Sequence, residues 1–456
     1  MSTLFPLERV DVIKDWTRGL AIIPGGCMSD RMSAEQTLGE ETKKPPVIYR
    51  RATCRLCGSR HLQLAMALKP TPVADAYMPA DRQNKQQPVF PLDLYLCLDC
   101  GLAHLPDVID PQVLYGKYIY ETTTSPGLVA HFQKYAERVL QRIGPASEAF
   151  VVEIGSNDGT LLKFFQKQGL RVLGIDPAAA IAQKTTASGT ETLPSFFSPA
   201  LAQKIKKERG AADIIIANNV MANIDNLEEF LTGIKDLLAP EGVFIFETGY
   251  LVDTMQNMVF DNIYHEHLCY FSVKPLDKFF SKHGMSLIYI DRVPTKGGSI
   301  RGTVQWAAGR RKVDSSVKEA IQLEENLGVD RIDAYRTFVG KIDTQKAKLT
   351  KLLNDLKKQG KTIAGYGASH SVTTFIYYFD LGEALEFLLD DNPRKYQTLS
   401  PGWHIPVYPS QKIYDNKPDY IVILAWRFYE QIVNTHQAFL KQGGHFIIPL
   451  PELEVI

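Results

Sequence analysis

The densest group of proton-moving side chains in the 456-residue chain is Tyr264-His265-Glu266-His267. Histidine titrates near neutral pH and suits removal of a moderately acidic C–H or O–H proton. A neighbouring carboxylate can orient an imidazole and stabilise its charged form. The two histidines are two residues apart, so they share a face only on a strand. The stretch is not H-E-x-x-H, and a metalloprotease helix is unsupported; an exposed polar turn between strand and helix is the plainer alternative. Four of the six cysteines form a second group, Cys54-x-x-Cys57 and Cys97-x-x-Cys100. Each pair can place two thiolates on one metal from a single turn, and four thiolates make a closed structural Zn²⁺ site with no open position for catalysis. A pair of redox motifs or reduced core thiols are the other readings. Cys27 and Cys269 have no partner in these motifs. A third group is the Gly/Ser/Asn/Asp turn Gly155-Ser156-Asn157-Asp158-Gly159.

These groups need elements to hold them. The run Val151-Val-Glu153-Ile enters the third group and Leu161, Leu162, Phe164 and Phe165 leave it at helical spacing, so strand, tight loop and helix of an α/β unit are expected. Small residues there let backbone N–H groups approach a ligand at the positive end of the helix. The loop departs from G-x-G-x-x-G at Asn157 and fits a carboxylate- or amine-bearing ligand better than a pyrophosphate. Val172-Leu-Gly-Ile-Asp176 predicts a second strand ending in an acid at the position that usually grips a ribose diol. Ile214–Ala217, ending in Asn218-Asn219, and Val243–Phe246, ending in Glu247, predict a third and a fourth.

Before this unit, the 39 residues between the cysteine pairs exceed a compact ribbon's gap, and the alternating Phe90–Leu96 predicts one of the strands that fill it. Tyr115 to Ser125, rich in hydroxyls and aromatics, is either a packing strand or a lip over the ligand, and precedes a helix over about 128–143. After the unit, Gly297-Gly298 reads as a hairpin turn, or else as a backbone wall with Lys296 and Arg301 available for anionic groups. Residues 317–358 are largely helical in pattern. Thr362 to Ser369 is a strand and glycine turn. Strands are also expected at Leu385–Leu389, Tyr420–Leu424 and His445–Pro449. Gly365-x-Gly367 is a weak dinucleotide signature without its third glycine, but Ser369 and His370 at a helix start suit a phosphate, and Trp426-Arg427 would add an aromatic and a charge.

Composition narrows the classes. Hydrophobic content of 45% and charged content of 22% describe an ordinary globular chain. With 51 basic and 51 acidic residues, no electrostatic footprint for nucleic acid or an anionic membrane surface is visible. No apolar run reaches the roughly 18 residues that span a bilayer. Charges close to Leu20–Ile23 argue against a secretion signal, so residues 1–46 read as a poorly ordered extension and the location as cytoplasmic.

Four strand ends in this order resemble the S-adenosylmethionine-dependent methyltransferases with a Rossmann-like sheet. Taken with the cysteine knuckles, Glu153-Ile-Gly-Ser-Asn-Asp-Gly-Thr160, Ala217-Asn-Asn-Val220, Tyr264–His267, Gly297-Gly-Ser299, Gly365-Tyr-Gly-Ala368 and Asp390-Asp-Asn-Pro393, the chain from about residue 50 to 456 resembles the nucleotide-sugar C-methyltransferases, such as those that make 3-C-methylated deoxysugars. The resemblance implies an α/β protein: a zinc-binding domain (47–125), a central Rossmann-like methyltransferase domain (126–310), a helical connector (311–358) and a C-terminal α/β nucleotide-sugar-binding domain (359–456).

It implies S-adenosylmethionine and Zn²⁺ as cofactors and a nucleotide-diphosphate 4-keto-deoxysugar as substrate. In that family a base removes the proton at C3, beside the C4 ketone, and the enolate takes the methyl group. His267 is similar to the family's base; Tyr264, Glu266 and Tyr118 are similar to residues that orient the sugar or assist the proton. The donor set is Glu153, Gly155, Ser156, Asn157, Asp158, Asp176, Asn218 and Tyr120. The substrate set is Asn223, Lys296, Arg301, Ser369, His370 and Asn392. Asn223 stands where members commonly carry a histidine, and an amide cannot take a proton at neutral pH. Two other readings stay open: an O- or N-methyltransferase, which needs no adjacent ketone, and a non-catalytic zinc-ribbon binding protein.

Overall fold

A computed structural model describes residues 48–115, 122–124 and 126–456. The expected 1–46 extension, Tyr118 and Tyr120 lie outside the described residues.

The cysteine-bearing segment forms a small antiparallel sheet from β1 (Leu62–Met66), β2 (Leu94–Cys97) and β3 (Ala103–His104). The alternation from Phe90 carries a ladder only from Leu94 onward. Pro91 has no N–H to donate, and Phe90 makes an isolated bridge to Thr71 instead.

Helix α1 (Pro126–Ile143) then leads into the central unit. Its strands β4 (Phe150–Ile154), β5 (Arg171–Ile175), β6 (Thr192–Leu193), β7 (Ala212–Asn218) and β8 (Leu238–Gly249) are mutually parallel. Near-continuous apolar runs such as Ile214–Ala217 suit a sheet buried on both faces. Helix α2 (Thr160–Gln166) leaves the β4 turn, and α3 (Leu227–Leu237) crosses from β7 to β8.

The next strand in the chain, β9 (Cys269–Tyr270), joins the other sheet: it pairs with β3. Helix α4 (Val273–Lys282) follows, and the antiparallel hairpin of β10 (Met285–Val293) and β11 (Ser299–Trp306) completes a seven-stranded sheet of order β6-β5-β4-β7-β8-β11-β10. Counted within this unit, the order is 3-2-1-4-5-7-6, with the switch point between β4 and β7.

The helical stretch is two helices, α5 (Ser315–Leu327) and α6 (Ile332–Lys358), broken where Gly328 adopts φ 64°. Beyond it, β12 (Ile363–Tyr366), α7 (His370–Tyr378), β13 (Leu388–Asp390), β14 (Val407–Pro409), β15 (Tyr420–Ile423), β16 (His445–Ile448) and β17 (Glu454–Val455) build a second doubly wound sheet, of order β14-β13-β12-β15-β16-β17. All its pairs are parallel except the last. Its switch point lies between β12 and β15, where ligands of open α/β sheets bind.

Candidate active site

At the carboxyl ends of β4 and β7, Gly155 (φ 71°) and Gly159 (φ 69°) turn the chain in the left-handed region, as does Asn157 (φ 50°). A Cβ on Gly155 would stand 2.4 Å from Val220 Cγ2, so glycine lets the loop after β7 close onto the loop after β4. Asp176 holds the turn: its carboxylate accepts the Asn157 amide and, two residues on, that of Ala178, each at 2.9 Å. Asp158 accepts the amide and hydroxyl of Thr160 and, through its other oxygen, the Thr123 amide at 2.8 Å. Asn157 Oδ1 accepts the Thr122 amide at 2.9 Å, so residues 122–124 are docked on the loop.

Glu153, Asp158 and Asp176 are all buried here. Burial, with the two aspartates beside it, holds Glu153 well above the usual carboxylate range. Glu153 Oε2 and Ser156 Oγ are buried with no hydrogen-bond partner among the described residues. Three crowded carboxylates and an unmatched acceptor suit a cationic ligand. Asn218 stands at the end of β7, its side chain accepting the Tyr135 hydroxyl at 3.1 Å.

The Tyr264–His267 stretch is a turn rather than a strand, and its two histidines meet different partners. His265 Nε2 approaches the Phe90 carbonyl at 3.3 Å, with its ring edge-on to Phe90. It pins the turn to the N-terminal segment. His267 Nδ1 lies 3.1 Å from the Asn262 carbonyl, which can only accept, so Nδ1 carries the proton and Nε2 is the acceptor nitrogen. Tyr264 Oη donates to Nε2 at 3.1 Å, and the two rings stack with centroids 4.2 Å apart. Burial, aided by the Lys296 ammonium, pulls His267 down to about 3 and keeps it neutral. Burial pushes Glu266 up to about 8, helped by Asp75, so it is a protonated acid at pH 7.

Three parts of the chain converge on this turn. Leu105 donates its amide to the Leu268 carbonyl as β9 joins β3. From the C-terminal unit, Thr374 Oγ1 donates to the Ile263 carbonyl at 2.7 Å, and Phe260 packs on Phe375, Tyr378 and Phe379. His370, at the start of α7, has its ring 5.8 Å from Tyr264 and its Nε2 3.6 Å from Asp75. Asp75 also pairs with Lys395, whose ammonium lies over the Tyr77 ring. Lys296 (φ 53°) sits on the opposite wall, exposed to solvent, and its carbonyl accepts Asn262 Nδ2 at 3.0 Å and Arg427 Nη1 at 3.4 Å.

The remaining sequence candidates divide. Gly297 and Gly298 do form the hairpin turn, with Gly298 (φ 125°) pressed against Asp253. Arg301 is not left available for an anion. Its side chain is 5% exposed and donates to Glu247 at 2.7 and 3.1 Å, because a buried guanidinium needs a buried carboxylate. Glu247 also accepts from His131 and Thr295. Asn223 follows β7 on a short helical turn, with Oδ1 buried and unmatched among the described residues. Ser369 is exposed at the start of α7, and Asn392 Oδ1 accepts the Arg394 amide, capping a short helical turn. Sequence reading missed His131, Asp75 and Lys395 entirely, and noted Glu247 only as a strand end.

The four cysteines Cys54, Cys57, Cys97 and Cys100 bring their sulfurs within 4.8 Å of one another, with Cys54–Cys100 at 3.5 Å and Cys57–Cys97 at 3.6 Å. Thiolates about 2.3 Å from a tetrahedral Zn²⁺ stand about 3.8 Å apart, so the four fit that ion.

Family models match almost the whole described chain: a zinc binding domain over residues 54–115, a methyltransferase domain over 128–290, and a C-methyltransferase C-terminal domain over 294–451. The C-methyltransferase NovU of Streptomyces niveus is 33% identical over 404 residues, which is 88% of this chain and 96% of NovU. Among solved structures, magnesium protoporphyrin IX methyltransferase from Synechocystis PCC 6803 with bound S-adenosylmethionine is 13% identical over 42% of this chain and 88% of its own, with a TM-score of 0.30. The 1,6-didemethyltoxoflavin-N1-methyltransferase of Burkholderia thailandensis is 18% identical over 38% and 77%, with a TM-score of 0.29.

Proposed function

The chain belongs to the S-adenosylmethionine-dependent C-methyltransferases, and from that premise we propose that its acceptor is a nucleotide-diphosphate 4-keto-deoxysugar, methylated at C3. The observation that carries this reading is the tautomer of His267. Its Nδ1–H is spent on the Asn262 carbonyl, and Nε2 is left unprotonated, facing the Tyr264 hydroxyl. A ring carbon beside a ketone is acidic enough for imidazole when the enolate oxygen is stabilised.

In the proposed reaction the Tyr264 hydroxyl turns its hydrogen bond away from His267 Nε2 to the bound sugar, and the freed Nε2 lone pair takes the C3 proton. The negative charge that develops beside the new imidazolium offsets the desolvation that keeps His267 neutral at rest. Glu266, protonated, donates to the C4 oxygen as charge gathers there. The bound donor supplies an electrophilic methyl at sulfur; Glu153, Ser156, Asn157, Asp158, Asp176 and Asn218 are the proposed residues that hold it.

The nucleotide is assigned to the crevice between β12 and β15. There Ser369 and His370 open α7, Arg427 lies on the other lip against the Lys296 carbonyl, and the Arg427 and Lys296 charges are the proposed partners of a diphosphate. Zn²⁺ on the four cysteines has no open position for substrate and serves structure.

Solvent-deuterium exchange tests this reading. In D₂O with S-adenosylhomocysteine in place of the donor, a nucleotide 4-ketosugar is expected to take up deuterium at C3. His267→Ala is expected to slow that exchange by about 10²–10⁴-fold without weakening S-adenosylhomocysteine binding. An acceptor that is methylated with no exchangeable C–H would mean O- or N-transfer.

A further inference from the structure

Arg55 lies between two of the four clustered cysteines, in Cys54-Arg55-Leu56-Cys57, and its side chain is fully buried. Nη1 donates to the Leu105 carbonyl at 2.5 Å and to His104 Nδ1 at 2.8 Å, and Nε donates to Asp225 Oδ1 at 3.0 Å. Asp225 accepts two further donors from the same segment, the Tyr49 hydroxyl and Arg51 Nη1, and Arg51 also reaches its main-chain carbonyl at 3.1 Å. A single carboxylate therefore gathers three side chains from residues 49–55.

Asp225 closes the loop that leaves β7. That loop begins with Asn219 in the left-handed region (φ 55°), carries Val220 packed so tightly over Gly155 that no side chain fits between, and carries Asn223. The path from the cysteine knuckle to the loop after β4 is short: the fully buried Arg55, the half-buried Asp225, the 219–225 loop, Val220 and Gly155. We infer that Arg55 and Asp225 are positioning residues for methyl transfer: the cysteine knuckle sets the 219–225 loop, and through it the donor pocket, by way of the Asp225 carboxylate that Arg55 shares with Arg51 and Tyr49.

The inference rests on the donor-binding reading, and the experiment separates the two. In the full-length zinc-loaded enzyme, Asp225→Asn and Arg55→Lys are each expected to keep full zinc content and to weaken S-adenosylhomocysteine binding, read by calorimetry, about tenfold. The donor KM rises in parallel. The double variant is expected to be no weaker than the worse single, since both remove the same link. Should the buried Arg55→Lys fail to fold, Asp225→Asn decides alone, with faster amide exchange over residues 219–225 as its second readout. Donor affinity within twofold of wild type, accompanied only by a lower Tm, would reduce the pair to a brace and overturn the inference. A wild-type protein that binds no S-adenosylhomocysteine would instead remove the donor assignment itself.

Discussion

Glu266 is the residue whose environment speaks most directly to pH. Its ordinary carboxyl pKa of 4.5 is pushed up to about 8, first by burial and then by Asp75. Below about 4.5 the folded and unfolded chains both hold the proton. Between 4.5 and 8 only the folded chain keeps it, so folding stability falls as pH rises, and the full penalty is present above 8. Glu266→Gln removes that slope. Its Tm is expected to gain on the wild type steadily from pH 5 to pH 9. If the protonated carboxyl donates to the ketone oxygen, wild-type kcat/KM for the acceptor falls through an apparent pKa near 8, and Glu266→Gln lacks that limb. A wild-type profile flat from pH 7 to pH 9 would remove Glu266 from the chemistry. His267, held near 3, stays in its base form throughout this window and contributes no limb to it.

At the scale of elements, the two α/β units share a device. In the central unit the acid ending the second strand, Asp176, accepts an amide of the glycine turn after the first strand and the amide two residues past itself. In the C-terminal unit Asp390 does the same with Ala368 (2.6 Å) and Asn392 (2.8 Å). Both acids stand where a ribose is usually gripped, and both are partly spent on shaping the turn. The turn is therefore intolerant of added bulk. Gly155→Ala would force a left-handed backbone on alanine and drive a methyl into Val220. It is expected to weaken S-adenosylhomocysteine binding at least about tenfold, a loss of about 1.4 kcal/mol. Unchanged affinity by calorimetry would mean the loop is not the donor site.

These glycine turns, strand ends and cysteine pairs were legible in the sequence because each is local: the chemistry and the conformation lie within about ten residues. What was not legible depends on distant pairing. Lys395 and Asp75 are 320 positions apart, and nothing near either residue signals the other. Arg301 looked available because its neighbours in sequence are small, but Glu247 arrives beside it across the β8–β11 ladder. The alternation at Phe90–Leu96 was real, and one proline cut the strand short.

At the scale of the molecule, no domain owns the proposed acceptor site. The Tyr264–His267 turn extends the N-terminal sheet through β9, and Met78–Pro79 from the N-terminal segment pairs with Thr398–Leu399 of the C-terminal unit. Helix α7 lies against the turn through an aromatic cluster in which Phe379, fully buried, stacks on Phe260 at 5.6 Å and on Phe375 at 4.4 Å. Because α7 carries His370 at its start, the packing of that cluster sets how far the crevice lies from His267. Phe379→Ala opens a cavity at this seam and should cost about 3–5 kcal/mol of stability, read as a fall in Tm. The kinetic consequence is directional. The glycine turn, Asp176 and Val220 lie at strand ends and loops of the central unit, whereas α7 seats on the 260–264 turn, so S-adenosylhomocysteine affinity should hold within twofold. The acceptor KM should rise several-fold as α7 loses its fixed seat. A variant that lost donor and acceptor affinity in equal measure would mean the two pockets move as one, and the separation of the donor sheet from the acceptor seam argued here would be wrong.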